Sequence, residues 1–167
     1  MKKGFTMIEL IFVIVILGVL ASVAIPRLAA TRDDAEVAKA ATNLTTAVSD
    51  ITAYYTAKGK FESSAQNDFT KITNALDKNG KLKVKGSTEC VNVILPTNAI
   101  GTGANTANAS SKVELTLKFL ENDPVCKQLM KLPGVKAMCG KGDSENIAAS
   151  SSSSCKIQIG GSGGITF

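Results

Sequence analysis

The stretch that decides the fold is Met1–Arg27, MKKGFTMIELIFVIVILGVLASVAIPR. Two lysines and a glycine precede an apolar segment of 21 residues, Phe5–Ile25, whose one acidic residue is Glu9. A helix of about 20 residues crosses the hydrocarbon core of a bilayer. Because Lys2 and Lys3 flank its amino-terminal end, the positive-inside rule places that end in the cytoplasm and the rest of the chain outside. The sequence therefore predicts an anchored or exported protein.

Glu9 is the residue that a plain membrane anchor does not explain. An acidic side chain near the centre of a spanning helix costs about 2.5–3.5 kcal/mol, and such residues usually mark a paired, functional position. Its place in the first turns lowers that cost, since the helix macrodipole favours negative charge there. Cleavage between Gly4 and Phe5 would create an amino group four residues upstream. A neighbouring copy of the chain, shifted along its axis, could present that cation to the carboxylate.

The run Gly4-Phe5-Thr6-Met7-Ile8-Glu9, followed by aliphatic residues, resembles the type III (prepilin) signal of type IV pilins and type II secretion pseudopilins. The resemblance covers residues 2 to about 55, a third of the chain. It implies that a prepilin peptidase cuts after Gly4 and methylates Phe5. It also implies that Glu9 pairs with the terminal amine of an adjacent subunit, and that the helix can unwind locally between Gly18 and Pro26 in the fibre.

The same resemblance implies the organisation of the chain and its partners. The expected fold class is α+β and pilin-like, with a long amino-terminal helix packed on a small antiparallel sheet. Self-assembly into a helical filament would involve a cytoplasmic assembly ATPase and a platform protein of the bacterial inner membrane, with the carboxyl-terminal domain periplasmic or extracellular. The expected segments are a leader at 1–4, a transmembrane and filament-core segment at 5–26, an amphipathic half-helix at 27–58 and a globular domain at 59–167.

Two simpler interpretations of the amino-terminal stretch remain open. An ordinary secretory signal peptide also has lysines, an apolar core and a small-residue cleavage site, here Ser22-Val23-Ala24. A single-span anchor would account for the hydrophobicity but leaves Glu9 and the Gly-Phe junction unexplained. The three interpretations predict different mature amino-terminal residues, namely Phe5, Ile25 and Met1.

The helical pattern continues beyond Pro26, although proline removes a backbone donor and clashes with the carbonyl four residues back, which predicts a bend or a break. Apolar residues then recur at alternating steps of four and three, as on one face of an amphipathic helix that ends near Ala57-Lys58-Gly59. From Phe5 to Lys58 the helix would be roughly 80 Å long. The stripe consists of Val37, Ala41, Leu44, Val48, Ile51 and Tyr55. Residues expected to be exposed are Arg32, Lys39, Asn43, Thr46 and Asp50.

The rest of the chain alternates short apolar runs with polar loops. β-Branched and alternating residues predict strands at 82–84, 90–95, 112–119 and 155–159, with the second and third antiparallel. Helical spacing predicts a helix over 64–78 that ends at Asn79-Gly80, and Asp123-Pro124 predicts the start of another that ends near Leu132. Polar loops without periodicity are expected at 96–111 and 140–154, and a flexible turn at 160–164.

The four cysteines, Cys90, Cys126, Cys139 and Cys155, all follow the apolar segment. An even number in an exported domain predicts disulfides, for which three connectivities are possible. We expect Cys126–Cys139, closing a short loop, and Cys90–Cys155, joining two strand-like runs, each worth about 2–4 kcal/mol. A zinc site is disfavoured because the chain contains no CxxC and no histidine.

The sequence predicts no enzymatic activity, no cofactor and no metal site. Without histidine the usual base for a nucleophile is missing, and the run Ser151–Ser154 has no base beside it. Asp143 and Glu145 offer too few oxygens for calcium in the 140–154 loop, and Gly160–Gly164 lacks the lysine and helix of a phosphate-binding loop.

Two functions follow from the resemblance. The leading one is a structural subunit of a type IV pilus or a type II secretion pseudopilus, and the alternative is a minor pilin that binds DNA during uptake. The net charge of +5, which would fall to +3 on loss of Lys2 and Lys3, gives the alternative mild support. The one local cluster of lysines is expected to be a solvated turn and strand edge rather than a nucleic-acid patch, and consists of Lys78, Lys81, Lys83 and Lys85.

Overall fold

A computed structural model describes residues 4–96, 100–101, 112–142, 147 and 155–160. The chain divides into two compact units, Met1–Ala35 and Glu36–Phe167, and the boundary lies inside the first helix. The architecture is α+β and pilin-like, as the sequence predicted, with an apolar amino-terminal helix and a four-stranded antiparallel sheet. The helices are α1 (Met7–Lys58), α2 (Ser63–Gln66), α3 (Pro124–Lys131) and α4 (Pro133–Met138). The strands are β1 (Phe61–Glu62), β2 (Lys81–Val84), β3 (Thr88–Ile94), β4 (Ile100–Gly101), β5 (Val113–Phe119) and β6 (Cys155–Gly160).

Helix α1 is 52 residues long and ends where the sequence predicted. Gly59 follows it with a φ of +69°, in the left-handed region that glycine adopts without steric cost, and its N–H donates to the carbonyl of Tyr55 at 2.7 Å. The sequence predicted a bend or a break at Pro26, and of these the break is wrong, because the helix is continuous through that position. Proline removes one hydrogen bond, but the bonds of the flanking turns keep the helix intact.

On α1 in the unit 36–167, buried residues recur at steps of four and three, as predicted, but the centre of the buried face lies at other residues than expected. Leu44 and Ile51 are fully buried as expected, whereas Ala41, Val48 and Tyr55 are only half-buried. Their places at the centre of the contact are taken by Ala40 and Ala47, whose small side chains let the helix backbone approach the sheet closely.

Asp50 and Asn43 differ from the expectation of exposure, since both are half-buried. The carboxylate of Asp50 accepts a 2.7 Å hydrogen bond from the hydroxyl of Thr73, which is only 3% exposed. Thr73 follows a 3-10 turn at Phe69–Lys71. Asp50 therefore fixes the connecting segment to the helix, because a buried hydroxyl needs a partner.

The main sheet has the strand order β2-β3-β5-β6, and every neighbouring pair is antiparallel. The predicted pairing across the 96–111 segment is confirmed, with Val93 opposite Leu117. Buried and half-buried residues alternate along β5, so one face of the sheet packs on α1 and the other faces outward. The main contributors of the sheet to the core are Leu82, Val84, Val91, Val93, Val113, Leu115, Leu117 and Phe119.

Elements in three regions of the chain differ from the sequence prediction, and strand β1 was not predicted either. The helix predicted over 64–78 is replaced by α2 and the 3-10 turn, because the carboxylate of Asp68 accepts the N–H of Thr70 and interrupts the helical ladder. Strand β4 pairs in parallel with β1 inside the predicted 96–111 loop, most of which lies outside the described residues. Helix α4 was missed because Pro133 reads as a stop, whereas here it occupies the first turn of a new helix.

Both disulfide pairs expected from the sequence are wrong. The bonds are Cys90–Cys126, between β3 and α3, and Cys139–Cys155, between the end of α4 and the first residue of β6. A β-bulge opposite Leu82 and Lys83 makes Cys90 an extra residue in β3. Bulges re-aim side chains, so Cys90 and its neighbour Val91 are both buried and Cys90 reaches α3.

The turn before β2 requires a glycine at position 80. Its φ is +75°, and an added Cβ would lie 2.6 Å from the Phe69 ring and 2.9 Å from the carbonyl oxygen of Val93. Because Phe69 is buried and the carbonyl belongs to β3, neither atom can move freely. Gly80→Ala is therefore expected to lower the free energy of unfolding by about 3 kcal/mol, from overpacking plus left-handed strain.

Urea unfolding of the full chain in detergent would measure this loss. Gly86→Ala is the matched control, since Gly86 has a φ of +86° but no atom within 4 Å of an added Cβ. Its free energy of unfolding should fall only by the cost of placing alanine in the left-handed region, about 1–2 kcal/mol. Equal losses in the two variants would show that the contact with Phe69 and Val93 does not matter.

Candidate functional site at the amino-terminal helix

The first part of α1 exposes an apolar surface all the way round. Met7–Ile25 is long and apolar enough to cross a membrane, with a mean hydropathy of 2.9 and no part of it buried. Burying one such side chain is worth about 1.5–3 kcal/mol, so the segment requires lipid or other helices around it. The large exposed side chains run from Phe5, Met7, Ile8 and Leu10 through to Leu20, Val23 and Ile25.

Thr6 and Glu9 together form the start of this helix. Thr6 lies immediately before the first helical residue, and its carbonyl accepts the N–H groups of Glu9 at 3.1 Å and Leu10 at 3.3 Å. The Thr6 hydroxyl donates to Oε2 of Glu9 at 3.4 Å. A threonine followed three residues later by a glutamate is the spacing of a capping box, but the contact here joins the two side chains to each other.

Thr6 is a residue to which the sequence analysis gave no role of its own. The Thr-x-x-Glu spacing before an apolar run was the signal that identifies it. The contact gives the Glu9 carboxylate a polar partner within its own chain, although the side chain itself is exposed.

The predicted cleavage position lies just ahead of the helix. Gly4 and Phe5 both precede the first helical residue, Phe5 is 84% exposed, and nothing lies within 4 Å of a Cβ added at Gly4. A protease needs its target bond outside a helix and free of neighbouring side chains. Among the described residues, the Gly4–Phe5 peptide bond lies outside α1 and no side chain packs against Gly4.

Comparison with known proteins gives one match that bears on this helix. Residues 1–25 match the family model described as the prokaryotic N-terminal methylation motif. Residues 1–25 carry the prepilin-type signal of type IV pilins and pseudopilins. This match supports a type IV pilin-like precursor, and a prepilin-type signal in general implies processing by a peptidase and assembly into filaments. No curated protein and no solved structure matches the chain significantly.

The prepilin-type signal and one apolar helix near the amino terminus fit anchoring in a membrane. Gly18 and Pro26 both lie in α1, and nothing lies within 4 Å of a Cβ added at Gly18. Contacts among the described residues therefore do not require a glycine at position 18.

Three of the four lysines in the cluster of the turn and strand edge are paired with carboxylates. Lys81 lies 2.8 Å from Glu89, Lys83 lies 2.8 Å from Asp77, and Lys85 lies 3.1 Å from Asp123. Phosphate contacts require lysines whose charge is available. The three pairs therefore weaken the case for a DNA-binding patch at this edge.

The pKa values of Asp77 and Asp123 are shifted in the direction expected from their pairing with lysines. Hydrogen bonding from the backbone N–H of Val125, followed by Lys85, lowers the pKa of Asp123. Partial burial alone would raise the pKa of Asp77, but hydrogen bonds from the Lys83 ammonium and from backbone N–H groups outweigh it and lower the pKa. Both carboxylates are therefore held in the charged form that pairs with lysine.

The outer face of the sheet carries a groove of about 310 Å³ near the start of β5. It contains an ion pair between Lys156 and Glu114 at 3.4 Å, and both side chains are substantially exposed. Among the described residues no three His, Cys, Asp or Glu side chains come together as a metal site, and Asp143 and Glu145 lie outside those residues. The residues that line the groove are Ile94, Leu95, Pro96, Lys112, Glu114, Thr116 and Lys156.

Proposed function

We propose that this protein is a structural subunit of a pilin-like filament, inserted in the inner membrane and assembled after a prepilin peptidase removes residues 1–4. The observation that carries the proposal is the prepilin-type signal on a helix whose apolar side chains are exposed all round. Residues 5–26 form the membrane span and then the filament core. Residues 27–58 continue the helix toward a globular domain at 59–167.

Glu9 has the decisive part in assembly. In a bundle of apolar helices a carboxylate needs a partner of opposite charge, since an unpaired one costs several kcal/mol. Cleavage after Gly4 gives each chain a free amine at Phe5, only one residue before the Thr6 that contacts Glu9. The amine of a neighbouring Phe5 becomes the partner of Glu9 when subunits stack with an axial offset, and the methyl group on that amine leaves its charge in place.

Gly18 and Pro26 serve the packing of helices in the fibre. Gly18 has open space around it in the isolated chain, so a neighbouring helix can approach its backbone closely. Pro26 lacks the N–H of a regular helix position, so the segment between the two residues unwinds at lower cost than an ordinary helix. The assembly ATPase acts through the platform protein from the cytoplasmic side, where the positive-inside rule places the amino-terminal end, on subunits whose leader has been removed.

The mass of the mature amino-terminal peptide tests the proposal. Membrane-extracted protein is expected to begin at Phe5 and to carry one added methyl group. Gly4→Leu places a branched side chain beside the target bond. The fraction of chains that retain the leader should be about tenfold higher than for the natural sequence, and the variant should still insert in the membrane.

Gly18→Ala is the matched control, since both glycines have open space around them. It should be processed like the natural chain. A mature chain that still begins at Met1, or one that begins at Ile25, would overturn the proposed processing and with it the filament role.

A further inference from the structure

The two disulfides join the cysteines in the order in which they occur along the chain. The first pairs with the second, at a separation of 36 residues, and the third with the fourth, at a separation of 16. Of the three connectivities that four cysteines allow, only this one has bonds that neither enclose nor cross each other. Each bond can thus be made before the next cysteine is exported.

Sequence distance alone does not favour this pattern. Cys126 lies 13 residues from Cys139 (139 minus 126) but 36 residues from Cys90. The entropic cost of loop closure grows as the logarithm of loop length, so a free chain would join Cys126 to Cys139 about fivefold more readily than to Cys90. Something other than proximity along the chain selects the native pairs.

Burial limits when the first bond can form. Cys90 is 1% exposed and Cys126 is fully buried, with its sulfur 3.8 Å from the carbonyl oxygen of Glu89. Thiol–disulfide exchange requires a thiolate to reach a sulfur atom, and neither sulfur is accessible once α3 has packed on β3. The native Cys90–Cys126 bond is therefore closed to thiol–disulfide exchange in the folded domain and has to form before this packing is complete. The second bond differs, because Cys139 is only half-buried.

We propose that this chain is a substrate of a dithiol–disulfide oxidant that closes Cys90–Cys126 first and Cys139–Cys155 second, as the cysteines emerge, without an isomerase. In each closure one cysteine thiolate attacks the disulfide of the oxidant and forms a mixed disulfide, which the second cysteine resolves. Two electrons and two protons pass to the oxidant, which leaves as a dithiol. The order of emergence rests on the proposed membrane orientation, whereas the pairing and the burial do not.

The Cys90→Ser variant separates selection by chain order from selection by the fold. It would be expressed as the full chain in Gram-negative cells that lack the periplasmic disulfide isomerase, trapped by alkylation and mapped by peptide mass. Closure in chain order joins Cys126 to the next cysteine, so more than about half of the chains should carry Cys126–Cys139 with Cys155 free. Chains that instead carry Cys139–Cys155 with Cys126 free would overturn the proposal.

Two further samples complete the test. Cys155→Ser is the matched control and should keep the Cys90–Cys126 bond with Cys139 free. The natural sequence should form both native bonds equally with and without the isomerase, within about twofold, and loss of native bonds in its absence would also overturn the proposal. The amino-terminal peptide mass from the same samples reports processing separately, so a failure of the filament role stays distinguishable.

Discussion

Chains that carry Glu9→Val are expected to insert into the membrane and to lose their leader, yet to be missing from filaments. Removing one partner of a charge pair surrounded by apolar groups costs about 3–5 kcal/mol, because the other charge is left unpaired. In this case that charge is the amine of Phe5 on a neighbour. At about 1.4 kcal/mol per factor of ten, the affinity of each added subunit should fall at least about 100-fold.

The measurement is the amount of chain recovered in sheared filaments relative to the amount left in the membrane. Ile8→Val is the matched control, since it alters a neighbouring side chain that is also exposed without changing any charge. It should assemble at the natural level. Natural amounts of filament from Glu9→Val would contradict the part given to Glu9, even if processing were normal.

Loss of the Cys90–Cys126 bond should have the largest effect on the stability of the globular part. Its loop of 36 residues corresponds to about 4 kcal/mol of chain entropy, against about 3 kcal/mol for the 16-residue loop of Cys139–Cys155. Both sulfurs of the longer loop also fill the core between β3 and α3, so their removal adds a packing loss. The variant Cys90→Ala with Cys126→Ala is therefore expected to lose about 4–5 kcal/mol.

Urea unfolding of the full chain in detergent would measure this loss through tyrosine fluorescence. The chain has no tryptophan, and its two tyrosines, Tyr54 and Tyr55, both lie against the buried ring of Phe61. The matched variant is Cys139→Ala with Cys155→Ala, which should lose about 3 kcal/mol. A larger loss in this second variant would contradict the assignment of the buried bond as the main covalent support of the core.

Local chemistry made much of the fold predictable. Asp123 followed by Pro124 identified the start of α3, and the carboxylate does accept the N–H of Val125 at 2.9 Å. The alternation along 113–119 identified β5 and its antiparallel partner. In each of these cases the side chain that produces the signal also makes the contact that the signal predicts.

Predictions failed where the deciding contact lies far away in the sequence. The helical spacing of Phe69 and Ile72 is real, but the hydrogen bond from Thr73 to Asp50 and the cap at Asp68 favour a turn. Regular alternation of side chains along β3 would place Cys90 on the opposite face of the sheet from Val91. The β-bulge interrupts this alternation, so both side chains are buried. The contact with Asp50 and the bulge cannot be read from the residues of their own segments, whereas the cap at Asp68 is local to residues 64–78.

By itself the sequence determined the processing signal, the exposed apolar helix and the acidic residue within it, because these depend on a contiguous run of side chains that meets lipid or other helices. It also determined the α+β class and most strands, since periodicity of hydrophobic residues follows from which face is buried. Only the tertiary structure decided the disulfide pairs, the alanines at the centre of the helix–sheet contact and the parallel pair of β1 and β4. Those features depend on which atoms meet across the core, and packing at close contact between distant segments leaves no local pattern in the chain.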